Sequence, residues 1–272
     1  MESAIATAGI PSMLEERARA GHDRPGAPLH AGSGWGALES LRRERSREQP
    51  SPVIDRLFPR SGLGEDQEPW VAFLETGTLP PGPPRSYVVA KPWSDRLEAA
   101  ADSATVLLHR GVARWAAGRR EAAVEAWEAA SALDPGSWLA WRNLAAASRL
   151  MGEPERSAER HLLALDLAPE VPQLRLEAIE ALIAASRFRE AVALARAAPG
   201  SSFAGRFRFL EAWAAVLDGD LRRAESILEG GLEVADLREG DDSLSDLWLL
   251  YRRRRAETGA DVPFSYDFRL HG

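Results

Sequence analysis

One segment of this chain repeats itself three times at near-constant spacing, and that limits the folds open to it more than any other feature. Gly118-Arg119-Arg120-Glu121-Ala122-Ala123 aligns with Gly152-Glu153-Pro154-Glu155-Arg156-Ser157 at an offset of 34. Leu133-Asp134-Pro135 aligns with Leu167-Ala168-Pro169 at the same offset. Ser186-Arg187-Phe188-Arg189-Glu190-Ala191 follows 34 residues later, and Gly219-Asp220-Leu221-Arg222-Arg223-Ala224 another 33 on. A period in this range marks a repeated supersecondary unit that cannot bury its apolar face alone and must stack on its neighbours.

The texture between the breaks says what the unit is. From Asp95 onward Ala, Leu, Glu and Arg dominate, Pro is rare, and apolar residues recur at three and four. That period belongs to amphipathic helices, and no alternating or β-branched run competes with it, so the fold class is all-α. Small residues let paired helices approach closely, and large ones fill the gaps beside them. A proline after the second helix stops it and turns the chain into the next unit.

These residues resemble the tetratricopeptide family, whose repeat is two antiparallel helices in 34 residues. Gly111 falls at the small position of the first helix. Ala123, Trp127 and Ala130 fall at the small, aromatic and small positions of the second, with Pro135 at the end. In the next unit Trp141 and Leu144 fill the opening positions, Ala164 the last small position, and Pro169 the proline. His161 takes the aromatic position there and reads as a core or groove-edge residue. The third unit ends early at Pro199 and lacks the opening Trp. The fourth carries Glu211 where an apolar residue is usual. The resemblance implies a helical solenoid over residues 96–235, an irregular arm before it (1–95) and a capping tail after it (236–272). It also implies a concave groove lined by first helices. Thr105, Leu108, Val112 and Trp115 line it in the first unit, and Leu139, Arg142, Asn143, Ala146 and Arg149 in the second. That groove holds either a peptide or protein segment or the chain's own arm. The Lys/Asn set with which some family members grip a terminal carboxylate is met only at Asn143.

The arm has its own signals. Gly21 to Gly36 reads as loop. Trp35, Leu38 and Leu41 share one face of a short helix within 35–48, and Trp70, Phe73 and Leu74 one face of a helix over 68–75. Leu79-Pro80-Pro81-Gly82-Pro83-Pro84 must be extended. Composition alone makes this segment a tether lying on another surface. A tether seldom keeps Trp35, Trp70 and Trp93 unless they dock, so these are expected to pin the arm to the solenoid or to a partner. In the tail, Ser243 or Ser245 caps a helix carrying Leu244, Leu247, Trp248 and Tyr251, with Arg252 to Arg255 at its C-terminal end. Trp248 and Phe268 join the candidate docking residues.

A second resemblance rests on Leu237-Arg238-Glu239-Gly240-Asp241-Asp242-Ser243-Leu244-Ser245-Asp246-Leu247-Trp248 and the closing Asp267-Phe268-Arg269. This looks like the end of a family of large bacterial proteins that join a carbohydrate-active-like β-sandwich to a tetratricopeptide tail. Gly34-Trp35-Gly36-Ala37-Leu38-Glu39 and Leu74-Glu75-Thr76-Gly77-Thr78-Leu79-Pro80 resemble its junction and linker. It implies a sandwich ahead of residue 33 that is absent here, so this chain would be a truncated or split accessory half, inactive alone. No family catalytic residue maps onto it.

Composition narrows the function classes. Basic residues total 34 against 41 acidic ones, a net charge of −7 that disfavours general nucleic-acid binding. Lys91 is the single lysine. The chain has no Cys, so thiolate metal sites and a Cys nucleophile are excluded. No apolar run reaches the roughly 20 residues of a membrane helix, and no secretory signal opens the chain, so a cytoplasmic location is expected. His22, His30, His109, His161 and His271 make no i, i+3 or i+4 pair. No phosphate loop, dinucleotide fingerprint or nucleophile elbow is present. The sequence thus reads as a non-catalytic interaction scaffold without cofactor, its partner a protein or peptide, with the accessory half of a sandwich protein as the rival.

Overall fold

The computed structural model describes residues 34–48, 58, 63–198, 203–234 and 243–259. Among them are twelve α-helices and no strand. They fall in two compact units, Met1–Pro135 and Gly136–Gly272.

In the first unit α1 (Gly34–Arg45), α2 (Glu68–Thr76) and α3 (Lys91–Ala99) precede the hairpin α4 (Ala104–Ala116) and α5 (Arg120–Leu133). Ser103 caps α4, its side chain accepting from the Val106 amide. Trp127 lies across the pair and donates its indole N–H to the Leu108 carbonyl at 3.1 Å. Gly111 makes room for it: a Cβ there would sit 2.3 Å from the indole nitrogen.

The arm is built onto this hairpin. Trp70 and Trp93 are 1% and 0% exposed. They meet edge to face at 5.5 Å, in a cluster with Leu38, Phe73, Leu79, Val88 and Leu97 that also takes in Val106 and Ala113 of α4. Trp35 is partly buried against the same cluster. The charged groups drawn inside are paired, as burial demands. The buried Glu39 carboxylate accepts a two-pronged bond from Arg42, at 2.9 and 2.8 Å, and the Trp93 N–H at 3.1 Å. Arg110, also buried, donates to the Leu97 and Ala100 carbonyls and to Asp102, clamping the end of α3 to α4. Arg114 grips Glu98 of α3 at 3.0 and 2.7 Å while donating to the Ala122 carbonyl of α5. Leu79 to Pro84 carries no helix, as its prolines require.

The second unit contains α6 (Trp138–Leu150), α7 (Pro154–Leu167), α8 (Pro172–Ala184), α9 (Phe188–Arg196), α10 (Ala204–Asp218), α11 (Leu221–Glu229) and α12 (Leu244–Glu257). Pairs α6–α7, α8–α9 and α10–α11 pack internally, and α7 packs on α8 and α9 on α10, so each pair covers the open side of the one before it. Ser157 is buried and donates to the Ala145 carbonyl at 2.9 Å, doing with a hydroxyl what Trp127 does with an indole. The misfit at Glu211 has a local answer: Arg223 of the facing helix α11 donates to its carboxylate. α12 closes the stack. Leu247, Trp248 and Tyr251 enter the core shared with α10 and α11, and the Tyr251 hydroxyl donates to Glu225 at 2.7 Å. Ser243 and Asp246 form the capping box that starts α12.

The turn inside each pair is the same turn four times. Gly118, Gly152 and Gly219 have φ of 77°, 77° and 86°, and Ser186 has 57°. In each, the following amide reaches back five residues, from Arg119 to Arg114, Glu153 to Ser148, Arg187 to Leu182 and Asp220 to Ala215. This left-handed cap satisfies carbonyls the helix end would otherwise orphan. The all-helical, tetratricopeptide-type repeat with a capping helix is therefore present in backbone detail.

Candidate ligand-binding face

The first helix of each pair has one side for its partner and one left over. On α4, Leu107, Leu108 and Gly111 face inward and Val106, His109 and Ala113 are also buried. Leu108 is 3% exposed, which puts it in the core rather than on the surface. Val112 and Trp115 remain half-buried. Trp115 lies 5.7 Å from Trp127, and the Arg120 guanidinium sits 5.7 Å from its ring centroid, a cation–π arrangement.

On α6, Arg142 and Asn143 are half-buried and Arg149 is exposed. The Asn143 amide nitrogen is buried without a hydrogen-bond partner. Arg142 reaches α8 and forks onto Glu177 at 2.8 and 2.6 Å. One turn on, Glu180 of α8 meets Arg206 of α10 at 3.4 Å. The first helices of three successive pairs therefore share a charged face. Glu177, Glu180 and Arg206 were not legible as members of it from α6 alone. The signal available was the 35-residue step from Arg142 to Glu177, one residue more than the repeat.

Burial tunes these groups. It pushes His161, on α7, down to about 4, because the imidazolium loses its water; Arg149 and Arg142 add to the effect and Glu177 opposes it. His161 is 4% exposed, and its Nδ1 lies 3.8 Å from Glu177 Oε2 without a hydrogen-bond partner. The Glu180 carboxyl is held above the usual carboxylate range by burial, with Arg206 pulling the other way. In the first unit, His109 is buried against Trp70 and Tyr87, each 4.9 Å away, and is pushed down to about 3.

The docking residues divide cleanly. Trp70, Trp93 and Trp248 are inside the described core, Trp35 is partly so, and Phe268 lies outside the described residues. In the Arg252 to Arg255 run, Arg255 lies 3.6 Å from Glu225 and Arg254 pairs with Glu257. Among the described residues no group of three or more His, Asp or Glu is placed to hold a metal ion, and no helix is long and apolar enough to cross a membrane.

No protein-family model matches the chain, and no curated protein matches it either. Among the solved structures similar to it are two helical-repeat chains. One is Pseudomonas aeruginosa pilF, at 22% identity over 61% of this chain and 72% of that one, with a TM-score of 0.41. The other is a tetratricopeptide repeat protein from Parabacteroides merdae, at 12% identity over 93% and 87%, with a TM-score of 0.44. At those scores the architecture stands on the helix pairs themselves.

Proposed function

We propose that this chain is a non-catalytic interaction scaffold, cytoplasmic, that holds a peptide or protein segment on the face formed by the first helices α6, α8 and α10. The observation that carries the reading is the face of α6, α8 and α10. It is polar, partly exposed and cross-linked from one helix pair to the next, and it keeps a buried amide donor at Asn143 that the chain does not use. In the other unit, Val112 and Trp115 of α4 are half-exposed and form a separate candidate surface. Large aromatic and Arg side chains of this kind are the usual anchors of an interface.

The accessory-half reading asks for exposed apolar surface around Trp35, Trp70 and Trp93. The chain itself covers Trp70 and Trp93, while Trp35 is partly buried, and this supports the scaffold reading over that one.

Selection from a random peptide-display library tests the proposal. Binders of the full chain should lose at least about tenfold in affinity to Arg149→Glu, a rim charge reversed against its ligand. Selected peptides that bind this variant as tightly as the parent would refute it.

A further inference from the structure

Glu177 is held as a ligand is held. Its two carboxylate oxygens take the two prongs of the Arg142 guanidinium at 2.8 and 2.6 Å, the planar fork geometry by which arginine recognises carboxylates. Gln173 adds a longer contact at 3.5 Å. Behind Oε2, at 3.8 Å, stands the imidazole of His161, 4% exposed and with Nδ1 lacking a hydrogen-bond partner. A buried ring nitrogen facing a carboxylate but not bonded to it is a polar position left unfilled. The pair is reachable, since the Arg142 and Glu177 side chains are 32% and 18% exposed.

We propose that Arg142, backed by His161, is a carboxylate-binding position of this face which Glu177 occupies in the free protein, and that an acidic group of the bound segment takes its place. Partly exposed ion pairs are weak enough to exchange. An incoming carboxylate can sit closer to His161 Nδ1 than Glu177, tethered to α8, does. Glu177 then acts as a built-in competitor that sets a threshold for binding. This rests on the peptide-binding reading above and names the chemistry it prefers.

The test uses the full chain, with the His161 ring followed by NMR and ionic strength held constant with chloride. Two probes are titrated: N-acetylglutamate α-amide, which offers a side-chain carboxylate, and N-acetylglycine, which offers a chain-end carboxylate. In Glu177→Ala the His161 signals should shift saturably, with an apparent affinity at least about tenfold tighter than in the parent, because the intramolecular competitor is gone. Glu177→Gln, which keeps the side-chain volume, should behave the same way, and Arg142→Gln on the Glu177→Ala background should abolish the response. Which probe acts identifies the source of the carboxylate. Titrations of both Glu177 variants that stay flat, or that persist without Arg142, overturn the inference. If peptides selected by display still depend on Arg149 in that case, the binding reading stands without it.

Discussion

The indole N–H of Trp127 donates to the backbone carbonyl of Leu108 at 3.1 Å, across the first helix pair. The bond is possible because residue 111 has no side chain. Gly111→Ala should gain helix propensity yet lose stability by about 2 kcal/mol, since the new methyl must push the ring off its acceptor. Thermal unfolding checks this, and a rise in Tm would show that the ring can move at no cost.

Ser186 occupies the left-handed turn position that glycine holds in the other three pairs. An L-residue there pays roughly 1–2 kcal/mol for its Cβ. Part of that is returned as lower entropy in the unfolded chain. Ser186→Gly should therefore stabilise by about 0.5 kcal/mol, and Ser186→Val should destabilise. Urea midpoints read both.

Trp93 holds the arm. Trp93→Ala removes a fully buried indole and one partner of Glu39, a loss of about 3–5 kcal/mol. Proteolysis in α1 should then precede cleavage in α8. Equal rates would show that the arm does not depend on this contact.

Acid should unfold the protein through its histidines first. His109 and His161 are neutral when folded, at about 3 and about 4, and near 6.5 when unfolded. The unfolded state thus binds more protons below 6.5, and stability falls as pH drops from 6.5 toward 4. Glu180, raised by burial, works in the opposite direction over the range just above the carboxylate value. Urea midpoints from pH 7.5 to 5 should decline, and His109→Gln with His161→Gln should flatten the decline. An unchanged slope in the double variant would place the acid sensitivity elsewhere.

The repeat was legible because turns and close contacts demand particular residues. Gly118, Gly152, Gly219, Pro135 and Pro169 punctuate the sequence at the positions where the backbone needs them. The arm was half legible. The faces of α1 and α2 show in Trp35, Leu38, Trp70 and Phe73, whereas α3 spans residue 95, where composition shifts, so composition hides it. Glu211 reads as a misfit at an apolar position until Arg223 is placed beside it, and nothing in the sequence marks Glu39 as the buried partner of Arg42. Leu108 was assigned to the groove by family register; its own helix turns it inward, since Gly111 and Trp127 fix the inner side of α4. The charged face escaped notice because its pairs join residues 26 and 35 apart, a separation that only folding closes.

Hydrogen exchange of the full chain, with and without a display-selected peptide, tests the central claim most directly. The account predicts added protection in the first helices α6, α8 and α10, with the second helix α9 unchanged. Protection confined to α7, α9 or the arm helices would contradict it.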